Sequence, residues 1–242
     1  MVTMTLQDTI APRQGRRFEP THELSLHEAA VAACEALPGS HRGVLIIREM
    51  VGPIGIPDLT ALVGDVSNVK ERVLLGVPAI LNQVDAGIVA SLSDKRPRSA
   101  ETVAATLGWP IETIRRRLPH LIKFGAISGK GVDGFVRPTA LCSVGRLYAI
   151  EAKMNDRVSA IQQARSYACW ADNYVLVMGE LGARPLRHVM DDVDHDKGGL
   201  VVDGQWMRRP VIAPHSPARR LWASEHLIAA LSPNDHQPSV RP

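Results

Sequence analysis

The sequence predicts an α/β protein, a mixed sheet flanked by helices and interrupted by a small helical module. Three observations carry that prediction. Apolar runs at Val44–Met50, rich in β-branched residues, and Leu147–Ile150 read as buried strands. Apolar residues recur at helical spacing over Leu24–Leu37, and Val158–Ala171 reads as a second helix. Between these, from Val84 to about Pro138, the period changes to three short helices separated by Gly-rich turns.

Each element follows from local chemistry. Residues 1–20 carry Arg13, Arg16 and Arg17 among polar residues and read as a flexible basic arm. Residues 21–80 form the first part of the core: a helix that stops at Pro38-Gly39, a strand over 44–50, a break at Gly52-Pro53, and a second strand from Ile56 to Val63. A hairpin is the natural reading of the two strands. Residues 81–140 are the inserted module. Its first helix runs from Ala86 to Leu92. Ser99 caps a second helix over Ala100–Leu107, with Glu101 in the first turn, where the helix dipole favours an acid. A third starts at Pro110, with Ile111, Ile114, Leu118, Leu121 and Ile122 on one face. Two short strands follow, Ala126-Ile127-Ser128 and Phe135-Val136-Arg137. Residues 141–232 resume the core, with strands from Leu147, over Tyr174–Met178 and over Gly199–Val202, and residues 233–242 read as a flexible tail.

Bulk properties exclude several classes. A chain of 242 residues, 45% hydrophobic, can bury a genuine core, and with aromatics at 4% that core rests on Ala, Val, Leu and Ile. Cys34, Cys142 and Cys169 form no C-x-x-C pair, which argues against a zinc ribbon and a disulfide framework and fits a cytoplasmic setting. No run approaches the roughly 18 apolar residues of a membrane span. Neither a G-x-x-x-x-G-K-[ST] nor a G-x-G-x-x-G motif occurs, so no nucleotide cofactor is expected.

The chemistry-bearing residues are few. The chain's one Asp/Glu-x-Lys triplet, Glu151-Ala152-Lys153, ends the apolar run at Leu147. Residues two apart on a strand leave the same face, so Glu151 and Lys153 project together. An acid beside an ammonium suits holding a divalent metal and a water against a phosphodiester. Asp58, after Pro57 on the second predicted strand, supplies another carboxylate. Gln163 and Tyr167 share a face of the following helix, one turn apart. Read singly, each has a plainer explanation: a solvated Glu151/Lys153 pair, a turn at Pro57-Asp58, and a half-buried helix face.

Taken in order, these pieces resemble the PD-(D/E)xK, restriction endonuclease-like nuclease superfamily, over about half the chain. The resemblance implies catalytic roles for Asp58, Glu151 and Lys153, with Mg²⁺ (or Mn²⁺) held by Asp58, Glu151 and the backbone carbonyl of Ala152. It implies supporting roles for Gln163 and Tyr167. An extra metal-binding acid is common in that family, and Glu28, Glu35 and Glu49 are all candidates for it here.

The inserted module resembles a winged helix-turn-helix, whose second motif helix enters the DNA major groove. From Ala86 to Ala140, nine Lys/Arg stand against four acids, roughly +5, against +3 for the whole chain. Arg115, Arg116, Arg117, Lys123, Lys130 and Arg137 are the DNA-binding candidates. Pro119 falls inside the third helix, which should bend there or stop at Leu118. Many winged helices dimerise, so a homodimer is a further expectation. The function expected is a metal-dependent DNA endonuclease. The alternative is a DNA-binding regulator with an inert nuclease-like core.

One constellation is set aside. Asp192, Asp194 and Asp196 fall at positions 1, 3 and 5 of a calcium loop, with Asp203 at 12, but Lys197 occupies the position where the turn requires Gly. A solvated helix end and loop is the expected reading.

Overall fold

A computed structural model describes residues 3–6, 26–131, 133–212 and 215–232. In chain order the elements are β1 (Thr3–Leu6), α1 (His27–Glu35), β2 (Val44–Arg48), β3 (Leu59–Val63), α2 (Ser67–Leu74), α3 (Gln83–Ser91), α4 (Ala100–Leu107) and α5 (Ile111–Lys123). They continue with β4 (Ser128–Lys130), β5 (Gly134–Val136), β6 (Arg146–Lys153), α6 (Arg157–Tyr167), β7 (Asn173–Met178), α7 (Ala183–Asp196), β8 (Gly199–Val202), β9 (Gln205–Arg208) and α8 (Pro217–Leu231). The chain divides into two units, one of residues 1–66 with 145–215, the other of residues 67–144 with 216–242.

The first unit is a mixed sheet flanked by helices, with strand order β1-β2-β3-β6-β7-β8-β9. β2, β3 and β6 pair antiparallel in turn, whereas β6, β7 and β8 run parallel. A parallel strand covered on both faces reads as a continuous apolar run, and β7 is buried along its whole length. On one face, α1 sets Ala30, Ala33 and Cys34 against Ile46, Ala61, Tyr148, Ile150 and Val175. On the other, Ala160 and Ile161 of α6 and Val189 and Val193 of α7 cover Tyr174, Leu176 and Leu200. Burial drives the Cys34 thiol pKa far up, leaving an inert core residue.

The second unit gathers α2 to α5, the β4-β5 hairpin and α8. Its core joins Ile88, Val89, Val103, Ile114, Leu118, Leu121 and Leu221. Ser99 Oγ accepts from the Thr102 amide, as its capping position predicts. Arg98 and Phe135 exchange both backbone hydrogen bonds, which adds a one-residue bridge to the hairpin. Arg72 and Glu225, both fully buried, form a two-bond ion pair, and Glu225 also accepts from the Ile80 amide. Arg72 donates in addition to the carbonyls of Val77 and Pro78, so each nitrogen of this buried guanidinium has a partner.

Several sequence expectations need correction. Residues 3–6 of the supposed arm form a strand parallel to β2, while the rest of the arm and the 233–242 tail lie outside the described residues. The core ends at residue 66 rather than 80, and 216–232 packs with the second unit, because Glu225 answers Arg72. α5 neither stops at Leu118 nor ends at Pro119 but runs on to Lys123, with Leu118 and Leu121 buried on either side of the proline. The aspartates near 192 belong to a continuous helix, where Arg165 takes Asp192 and Asp196, and Arg208 takes Asp194. The calcium loop is rightly set aside, but the aspartates expected on a solvated helix end and loop lie within the helix and are ion-paired.

Candidate functional site

The antiparallel register of β3 and β6 brings the acids together. Leu59 faces Ile150, which brings Asp58, one residue ahead of β3, close enough for its charge to act on Glu151. Leu59 and Ile150 both enter the α1-side core, so strand alternation turns Glu151 to the opposite face, beneath α6. Asp58 itself stands just ahead of β3, not on it as expected: Pro57 and the turn before it keep residues 56–58 out of the ladder. Hydrogen bonds to two backbone amides help to fix its position instead. The Glu49 amide donates to the Asp58 carbonyl at 3.1 Å, and the Ala152 amide donates to Asp58 Oδ2 at 2.7 Å.

Glu151 is 3% exposed. Tyr167 Oη lies 3.0 Å from its Oε2 and 3.1 Å from the Ile56 carbonyl, and Lys153 Nζ lies 3.6 Å from its Oε1. Burial, and then the charge of Asp58, push the Glu151 carboxyl up to about 8, against the opposing pull of Lys153 and Tyr167. The phenol O–H donates to Glu151 Oε2 and is also within reach of the Ile56 carbonyl. The same burial and acids raise the Tyr167 phenol far above its ordinary value, so it stays neutral.

The loop carrying Asp58 is seated on the end of α6. Gly52 donates to the Gly55 carbonyl, closing a turn. Trp170 Nε1 donates to the Ile54 carbonyl at 2.9 Å. Gly55 has φ +76°, and a Cβ there would lie 2.8 Å from Tyr167 Cε1, so glycine is required on both counts. Sequence reasoning missed Trp170. The available signal was its place three residues beyond Tyr167, together with a Gly-Pro-Ile-Gly-Ile-Pro loop short enough to need an anchor.

The other sequence candidates fall in different places. Gln163 is half-buried and turns to its own helix, where its side-chain oxygen accepts from Ser159 Oγ. Glu49 is exposed and left-handed (φ 45°) beside Asp58. Glu28 is exposed near the start of α1, close to the contact between His27 and Arg48 at the end of β2. Glu35 ends α1 near Gly39, which packs on Val63, so it sits at the end of β3 remote from Asp58.

Among the described residues, no three His, Cys, Asp or Glu side chains gather as a metal cluster. Two acids nevertheless suit Mg²⁺, which takes one or two protein carboxylates and fills its octahedron with water. The fit rests on charge. Burial and the neighbouring charge of Asp58 raise the Glu151 carboxyl to about 8, and a divalent cation would offset both.

In the second unit, the basic candidates separate into two groups. Arg117 is committed to Asp85, which is 4% exposed, and Arg137 donates to the carbonyls of Leu92, Pro138, Thr139 and Leu141. Arg115 pairs with Glu101 and Glu112 at the surface. Arg116, Lys123 and Lys130 are exposed. Among the described residues no helix is long and apolar enough to cross a membrane. Comparison with family models, with curated proteins and with solved structures returned no match.

Proposed function

We propose that this chain is a metal-dependent DNA endonuclease of the PD-(D/E)xK type, with a restriction endonuclease-like core and an inserted winged helix-turn-helix that recruits DNA. One observation carries the reading: a buried Glu151 lies beside Asp58 where β3 meets β6, with Lys153 on the same face, in the order the family motif requires. Asp58 and Glu151 would hold Mg²⁺ or Mn²⁺, with the Ala152 carbonyl as the third ligand that the family resemblance implies. Bound there, the metal supplies Lewis-acid polarisation of a phosphoryl oxygen and a water of lowered pKa.

The chain's own residues do the rest. Tyr167 orients the Glu151 carboxylate through Oε2. Lys153 keeps its ammonium beside Glu151, within reach of the attacking water or a phosphoryl oxygen. Burial of both groups excludes bulk water and strengthens their electrostatics. Arg116, Lys123 and Lys130 supply phosphate contacts from the second unit.

The test is incubation of supercoiled plasmid with Mg²⁺ or Mn²⁺. Cleavage that disappears with EDTA and in Glu151→Ala is the expected result. DNA binding without cleavage at any protein ratio would replace this reading with that of a DNA-binding regulator built on an inert core.

A further inference from the structure

The loop between β2 and β3 cannot hold itself in place. Met50 and Pro57 bury its two ends, but between them Val51, Ile54 and Ile56 are 53%, 45% and 38% exposed, so little apolar burial fastens its middle. What fastens it is main chain against two aromatics. Trp170, 1% exposed, donates Nε1–H to the Ile54 carbonyl at 2.9 Å, and its ring fills the space where a Gly52 Cβ would come within 2.7 Å of Cζ2. Tyr167 meets Trp170 edge-on at 6.2 Å and reaches the Ile56 carbonyl, two residues before Asp58.

We propose that Trp170 is a positioning residue for Asp58: it locks the 51–57 loop so that this carboxylate stays beside Glu151. The inference rests on the metal-site reading above. Trp170 meets the loop at its main chain. It acts through the Ile54 carbonyl and the Gly52 backbone, and the Asp58–Ala152 hydrogen bond is the far end of the same chain of contacts. A loop released from Trp170 samples positions in which the two carboxylates no longer converge, so metal affinity falls while the rest of the sheet stays intact.

Calorimetric titration of the full chain with Mn²⁺ alone tests this. Trp170→Phe keeps an aromatic ring and removes the N–H, and should weaken Mn²⁺ binding by about five- to tenfold, as the loss of one hydrogen bond predicts. Gly52→Ala pushes the loop off the same ring from the other side and should weaken binding comparably. The double variant should lose less than the product of the two, because both act on one contact. A Trp170→Phe protein that melts at lower temperature yet binds Mn²⁺ as the wild type does would reduce Trp170 to packing and overturn the proposal. If Trp170→Phe does not fold, Gly52→Ala decides by the same criterion. Failure of the wild type to bind Mn²⁺ is a separate result, and it removes the metal site itself.

Discussion

The backbone amide of Ala152 donates to Asp58 Oδ2 at 2.7 Å, so the residue between Glu151 and Lys153 orients the acid brought from 94 positions away. Asp58 therefore has two separable tasks, as hydrogen-bond acceptor and as charge. Asp58→Asn keeps an acceptor and should change stability little, yet abolish Mn²⁺ binding and cleavage. Asp58→Ala should lose function equally and cost about 1–2 kcal/mol more in stability, through the unanswered amide. Chemical denaturation alongside metal titration measures both.

The raised carboxyl of Glu151 makes stability fall as pH rises. The folded protein binds this proton more tightly than the unfolded chain does, so the contribution is fully present below the ordinary value of 4.5 and is lost as pH passes through about 8. In metal-free protein, the urea midpoint should decline between pH 5 and 8, and Glu151→Gln should flatten that decline. Mg²⁺ should stabilise the wild type more at pH 8.5 than at pH 6, because it competes with the proton for the same oxygens.

Glu225→Ala strands the Arg72 charge in the core of the second unit. A broken buried pair costs about 3–5 kcal/mol, and the loss should be confined to residues 67–144 and 216–232. Hydrogen exchange should show α2, α3 and α8 losing protection while β6 and β7 keep theirs.

DNA affinity should respond differently to neighbouring arginines on α5. Arg116→Ala, Lys123→Ala and Lys130→Ala should each weaken binding across all sequences and reduce the salt slope by roughly one. Arg117→Ala should instead lower the melting temperature, because Asp85 is left buried without its guanidinium. Filter binding at graded salt and thermal melts distinguish the two outcomes.

Where local pattern decided structure, the sequence was legible. The capping by Ser99, the strand starting near Leu147 and the helix starting near Val158 follow from spacing, although that helix ends at Tyr167 rather than Ala171. The acids of the candidate site were legible as residues, but their meeting depends on strand register, which emerges when β3 and β6 pair. The place of Trp170 after Tyr167 was visible, but its role was not, because its partner is a backbone carbonyl 116 positions away and carbonyls carry no sequence signature. The boundary at residue 216 was missed for a related reason. Glu225 on a helix looks like any solvated acid until Arg72, 153 positions earlier, is placed beside it.

That last pairing sets the order of assembly. During synthesis, a guanidinium made early must wait for a carboxylate made 153 residues later, and until then its helical unit has no answer to a charge destined for its interior. Chains cut short of Glu225 should therefore leave one compartment finished and the other open, a natural target for chaperones and proteases.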